Sequence, residues 1–260
     1  MRSEVILGVP VHAVSLTDAE EEIARWVASR RSPPGIVVHA NAFSLVTAQE
    51  DTSYQKALQT IDLSVPDGMP VVWLLRKAGQ KESGRVYGPD LMDRLCRRAA
   101  REGWRCFLFG GSPGVPELVR DALCAKFPTL RIVGTFSPPY RSLTEEEDEV
   151  IINAINAERP DIVWVALGGP KQDLWMADHR HRINASVMHG VGAAFDFLAG
   201  RIPQAPRWMM SAGLEWLFRL LAEPRRLWQR YTVKNAKFLY FVLTRELLPL
   251  GRGRANPSGE

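Results

Sequence analysis

Cysteine is scarce in this chain of 260 residues: Cys96, Cys106 and Cys124 are odd in number, and their spacings match neither a zinc site nor a disulfide framework. Cys106 lies in an apolar run, where a free thiol behaves as a small core residue, and a reducing cytoplasm is the expected setting. Histidine is also sparse. His179 and His181 are two apart, so on a helix they point in different directions, and His12, His39 and His189 stand alone. The sequence contains no Asp-x-Asp pair to hold a divalent ion, so a metal-independent chemistry with no metal ligands is expected. Long apolar runs are missing as well: no stretch of 18 uncharged apolar residues occurs, and nothing is expected to span a bilayer. The first 25 residues turn charged too soon for a secretory leader, which predicts a protein kept inside the cell.

What remains is ordinary in bulk and uneven in detail. At 46% hydrophobic and 24% charged residues the chain can bury a core unaided, as one large α/β domain or as such a domain with an appendage. The net charge of +4 is local. Residues 201–254 carry eleven Lys/Arg against three Asp/Glu, whereas residues 1–200 carry 22 against 25. A basic segment of this kind suits an anionic partner such as lipid headgroups, a diphosphate or nucleic acid.

Short apolar runs alternate with amphipathic segments. Strands are predicted at 4–8, 36–40, 62–65, 104–110, 131–135, 161–167 and 186–191. Helices are predicted at 17–30, 42–50, 53–60, 69–77, 89–102, 115–127, 144–157 and 171–182. Thr144 with Glu147 reads as a capping box. The rhythm implies a Rossmann-like α/β core with a mainly parallel sheet flanked by helices, and ligands at the carboxyl ends of the strands. Near residue 200 the Pro-rich GRIPQAPRW marks a boundary between a core over 1–200 and a basic, aromatic, helical appendage over 201–250. Its helices are predicted at 207–222, 224–235 and 236–248, and residues 251–260 read as a disordered tail.

Four junctions between a strand and a helix can carry chemistry. Pro66-Asp67-Gly68 is a common turn sequence, but its position at a strand end puts the Asp67 carboxylate where ligands bind. Gly110-Gly111-Ser112-Pro113-Gly114 can present backbone N–H groups to a phosphate; equally, glycine is needed in many such connections. The next strand lacks the acidic residue that a dinucleotide ribose wants, so NAD is not expected. In Arg85-Val86-Tyr87-Gly88-Pro89-Asp90, Arg85 can grip a phosphate or simply precede a helix opened by Pro89 and Asp90. In Gly168-Gly169-Pro170-Lys171-Gln172, Gln172 is placed to hydrogen-bond a sugar hydroxyl, or is solvated beside a turn set by Gly-Pro.

The segments HANAFSLV, PDGMPVVW, RVYGPDL, FLFGGSPGV, PDIVWVALGGPKQDLW, GVGAAFDFLAG, APRWM and GLEWLFRLLAEPRRLWQRY, taken together, resemble the WecG/TagA/CpsF family, glycosyltransferase family 26, in family order from about residue 36 to 231. The resemblance implies inverting, metal-independent transfer of a hexose-type sugar from a UDP donor to an undecaprenyl-diphosphate-linked saccharide in bacterial cell-surface polysaccharide synthesis, with no cofactor beyond the donor. It also implies a protein peripheral on the inner face of the cell membrane, docked there by its appendage. By position, Asp67 resembles the family's general base. His39, Asn41, Arg85, Gly88, Asp90, Gly110, Gly111 and Gln172 fall in its pocket motifs, and Arg219, Arg225, Arg226 and Arg230 resemble its diphosphate-binding set. Two positions depart from the pattern: His39 stands where Thr is usual, and Gln204 where Arg precedes Ala-Pro. The sugar stays open between N-acetylmannosamine, its uronic acid, glucose and another hexose, and so does the oligomeric state.

Two rival readings use the same residues. A nucleic-acid module would explain basic helices bearing Trp and Tyr, but the basic residues alternate with large apolar ones as on an interfacial helix, and no nucleic-acid motif is present. A scaffold with an inert core is excluded by any transfer from a UDP-sugar.

Overall fold

The computed structural model describes residues 1–247, and within the helix that ends it the side chains of Arg226, Gln229, Arg230 and Leu247 are outside the description. The tail expected at 251–260 lies beyond the described residues, as do the side chains of Arg226 and Arg230 in the expected diphosphate set.

The chain opens with a hairpin, where a single strand over 4–8 is predicted. Strand β1 (Ser3–Ile6) pairs antiparallel with β2 (Val9–His12). Leu7 and Gly8 both take positive φ, 47° and 71°, the backbone that a two-residue hairpin turn requires. The turn splits the apolar run and buries Ile6, Leu7, Val9 and Val11.

Six strands follow: β3 (Gly35–Ala40), β4 (Leu63–Pro66), β5 (Arg105–Gly110), β6 (Arg131–Phe136), β7 (Ile162–Ala166) and β8 (Val187–Gly190). They form one parallel sheet in the order β4-β3-β8-β7-β5-β6. From β3 the chain moves to one edge and from β5 to the other, with β8 and β7 between, so the crevice at the carboxyl ends opens over the centre. A sheet buried on both faces needs apolar residues on both sides of each strand. In β7, Ile162, Trp164 and Ala166 join the cluster on one face while Val163 and Val165 join that on the other.

The flanking helices start where their capping chemistry puts them. Helix α1 (Leu16–Ala28) is capped by Ser15 with Asp18, and α7 (Glu145–Ala157) by Thr144 with Glu147. Between and after them lie α2 (Ala42–Glu50), α3 (Thr52–Gln59), α4 (Met69–Lys77), α5 (Gly88–Glu102), α6 (Val115–Lys126) and α8 (Lys171–His179). A short helix, α9 (Ala194–Leu198), follows β8.

The last segment packs back on this core. The predicted helix 207–222 is broken at Gly213, whose φ of 74° stops α10 (Arg207–Ser211) before α11 (Glu215–Ala222) begins. Beyond it α12 (Pro224–Trp228), a π-helical turn over 229–233, α13 (Lys234–Phe241) and a second π-helical turn over 242–247 follow without a loop. Phe238 and Val242 are buried in the same cluster as β3 and α2. Lys234 and Lys237 both pair with Glu50 of α2, and Glu246 accepts the Leu7 N–H at 2.7 Å.

Candidate active site

A cavity of about 610 Å³ opens at the carboxyl ends of β3, β4, β5, β7 and β8, a size that suits a nucleotide-sized ligand. His39, Asn41, Asp67, Gly88, Gly111, Gln172 and Arg219 line it, joined by Tyr54, Arg141, Lys171, Asp173, Asp196 and Glu215. The sheet ends therefore gather residues of all four predicted junctions at one mouth, and Arg85 of the third pairs with Asp67 of the first.

Asp67 follows β4 directly, and its N–H donates to Ala40 O at 2.8 Å, which fixes the turn to the end of β3. Gly68 holds φ at 110°, a backbone that favours glycine, and turns the chain into α4. Arg85 donates to a single oxygen of this carboxylate: Nε reaches Oδ1 at 3.3 Å and Nη2 reaches it at 3.2 Å. The same Nη2 pairs with Glu215 of α11, and the guanidinium lies 4.5 Å from the centre of the Tyr87 ring. Burial works against the charge on Arg85, but the carboxylates of Asp67 and Glu215 outweigh it and raise its pKa. Burial together with those carboxylates also raises the Tyr87 phenol. Arg85 is thus shared between two carboxylates, Asp67 through Nε and Nη2 and Glu215 through Nη2.

His39 is the next-to-last residue of β3 and lies half-buried near Asp67. Its Nδ1 is 3.3 Å from Val86 O, which can only accept, so Nδ1 carries the proton of the neutral ring. Nε2 must then accept from His189 Nε2–H, 2.9 Å away in the next strand. The rings stack at 5.1 Å with Trp164 on the far side of His189. Burial lowers both histidines, His189 well below the usual value. Both nitrogens of His39 are engaged within the protein, and it presents a ring surface to the cavity. Gly88 lies against it: a Cβ there would make an ordinary van der Waals contact with the imidazole at 3.5 Å.

Asn41 caps α2. Its Oδ1 accepts from Ser44 N–H at 3.1 Å and its Nδ2 donates to His39 O at 3.4 Å. Gln172 sits in the first turn of α8, buried, with Oε1 unpartnered among the described residues. Beside it Asp173 is buried at 5% exposure, accepts the Tyr54 hydroxyl at 2.6 Å through Oδ2, and has no partner for Oδ1. Burial pushes this carboxyl up to about 6 against the opposing Tyr54 bond. Gly110 serves the sheet: a Cβ there would meet the Ala166 backbone at 2.6 Å. Gly111, with φ of 73°, donates its N–H to Ala166 O at 2.9 Å and faces the cavity.

Two predicted residues lie elsewhere. Asp90 faces away in the first turn of α5, in a bidentate pair with Arg207 at 2.6 and 2.9 Å. Arg225 is exposed on α12 and does not line the cavity. Arg219 does, with its guanidinium 5.4 Å from the Phe197 ring and 3.9 Å from Glu223. Sequence reasoning passed over Tyr54, Asp173, Asp196 and Glu215. For Asp173 the available sign was its position next to Gln172, directly after a glycine-rich strand end. Among the described residues no group of three His, Cys, Asp or Glu gathers in metal-binding proximity, and no helix is long and apolar enough to cross a membrane.

A crevice at the ends of a parallel sheet, lined by four carboxylates of which an arginine orders Asp67 and Glu215, and by Arg141, Lys171 and Arg219, can combine acid–base chemistry with binding of an anionic ligand. The model of the glycosyl transferase WecG/TagA/CpsF family matches residues 4–251 of the chain, nearly its whole length. The protein therefore belongs to the WecG/TagA/CpsF family and is a glycosyltransferase of cell-wall polymer synthesis.

Proposed function

We propose that the protein transfers a hexose-type sugar, with inversion and without a metal, from a UDP donor to an undecaprenyl-diphosphate-linked saccharide at an anionic membrane surface on the inner face of the cell membrane. The observation that supports this most is Asp67: Arg85 holds one of its oxygens, and Oδ2 has no partner among the described residues while the side chain lines the cavity. In a single displacement the acceptor hydroxyl attacks the anomeric carbon, its proton passes to Asp67 Oδ2, and the bond to the nucleotide diphosphate breaks with its electron pair on UDP. The charge that leaves needs cations, and Arg219, Lys171 and Arg141 line the same cavity. Buried acceptors at Gln172 and Asp173 suit a ligand rich in hydroxyl groups.

The experiment is transfer from a panel of UDP-sugars to a synthetic polyprenyl-diphosphate glycan, in the presence of EDTA, by the wild type and by Asp67→Ala. Loss of a general base lowers turnover by roughly 10²–10⁴-fold, with the fold retained. Turnover near wild type in the variant refutes the role of Asp67, and activity abolished by EDTA and restored by manganese or magnesium refutes the metal-free chemistry.

A further inference from the structure

Glu215 is the one group in the carboxylate–arginine cluster that does not come from the sheet and its connections. Asp67, Arg85 and Tyr87 all lie between β4 and α5, whereas Glu215 opens α11, 130 residues after Arg85. Its side chain is 15% exposed and that of Arg85 16%, so the pair is neither open to solvent nor deeply buried. In such a place a charge pair is screened less than on the surface. The two bonds from Arg85 to Asp67 are long, at 3.3 and 3.2 Å, and converge on one oxygen. Asp67 by itself is a loose anchor for a guanidinium on a flexible stem. The Glu215 contact is the closer one, and together with the Tyr87 ring it fixes the plane of the guanidinium.

We propose that Glu215 is a positioning residue for the transfer: it holds Arg85, and Arg85 in turn holds Asp67 with Oδ2 toward the cavity. The base is then correctly aimed only when α11 is seated on the core. This rests on Asp67 being the base. Among the described residues, the other ion pairs that reach from this segment to the core do not touch the cluster: Arg207–Asp90 lies at an exposed arginine, and Lys234 and Lys237 meet Glu50 on α2. Seating of α11 and alignment of the base are thus joined through one carboxylate.

The test uses the full chain with Glu215→Gln, which keeps the size and removes the charge, and Arg207→Ala, which breaks a different tether. Glu215→Gln should lower kcat by about tenfold or more, since misplacing a reacting group by an ångström is worth up to about 10², and leave the donor KM within about twofold. Arg207→Ala should stay near wild type in both. In an Asp67→Asn background Glu215→Gln should have little further effect, because it acts through the group already lost. A raised KM at unchanged kcat would make Glu215 a substrate contact, and an additive effect with Asp67→Asn would make it independent of the base; either overturns the proposal. Hydrogen exchange supplies a readout without turnover. Glu215→Gln should speed amide exchange over 213–222, and Arg85→Met combined with it should add nothing. Unchanged exchange overturns the tether even if the wild type transfers sugar. A wild type inactive with every donor refutes the transfer reading and leaves the exchange result to decide the tether.

Discussion

Asp173 makes the stability of this protein depend on pH in a direction opposite to most carboxylates. Burial pushes its pKa up to about 6 from 3.8, with the Tyr54 hydroxyl pulling only partly the other way. The folded state therefore prefers the neutral acid. The favourable contribution is fully present below the unfolded value and is lost as the pH rises through about 6. At about 1.4 kcal/mol per unit, the whole effect is about 3 kcal/mol, and about 2 kcal/mol of it falls between pH 4.5 and 7.5. Asp173→Asn cannot ionise and still accepts from Tyr54 through its amide oxygen. Urea unfolding of both proteins at the two pH values, followed by tryptophan fluorescence, isolates the term. The variant should gain about 2 kcal/mol on the wild type as the pH is raised. Equal pH dependence in the two proteins would refute the argument, and a wild type that gains on the variant would show that Asp173 is ionised and stabilised in the fold.

Phe238→Ala should destabilise the fold by about 3–5 kcal/mol, because it empties a side chain that is 4% exposed from the cluster shared with α2 and the sheet; a chemical unfolding midpoint within error of wild type would contradict that packing. Arg225→Glu should leave thermal stability nearly unchanged, since the side chain is exposed, while weakening binding to vesicles of anionic lipid, where each basic residue contributes about 1 kcal/mol. Vesicle sedimentation checks it, and unaltered binding would remove Arg225 from the membrane reading.

The sheet was legible because its strands are short apolar runs, several closed by proline or glycine, as β4 at Pro66, β5 at Gly110 and β8 at Gly190, and the helices because their caps and apolar spacing agree. Where local sequence misled, either one glycine or the shortness of an element was responsible. Gly8 folds an apparent strand into a hairpin, Gly213 divides an apparent long helix, and Ala194–Leu198 is too short for a period to show. The site divides the same way. Asp67, Gly111 and Gln172 could be found because a strand end names its own neighbours. The pairings that give them their chemistry span the chain: Tyr54 with Asp173 over 119 residues, Arg85 with Glu215 over 130 and His39 with His189 over 150. Glu215 reads locally as an acid in the first turn of an amphipathic helix, which satisfies the helix dipole and explains the residue without any site.

The basic segment after residue 200 can be both structural and functional because its helices have two different faces. One is committed to the core: Met210, Leu227, Phe238 and Val242 are buried, and Glu215 and Arg219 reach the cavity. Away from the core each of them exposes a large apolar side chain: Trp208 of α10 at 67%, Leu221 of α11 at 73% and Tyr240 of α13 at 62%. Trp73 on α4, 54% exposed, is close to the same segment: a Cβ on Gly213 would lie 3.9 Å from its ring. Large apolar side chains left in water are unfavourable by their exposed area, and cations interleaved with them suit an interfacial position rather than a second core. On the proposed reading that these exposed side chains meet an anionic membrane, α11 takes part in both roles, with Leu221 toward solvent and Glu215 paired with Arg85. Arg85 in turn pairs with Asp67, so the proposed membrane contact and the proposed base are linked through two side chains.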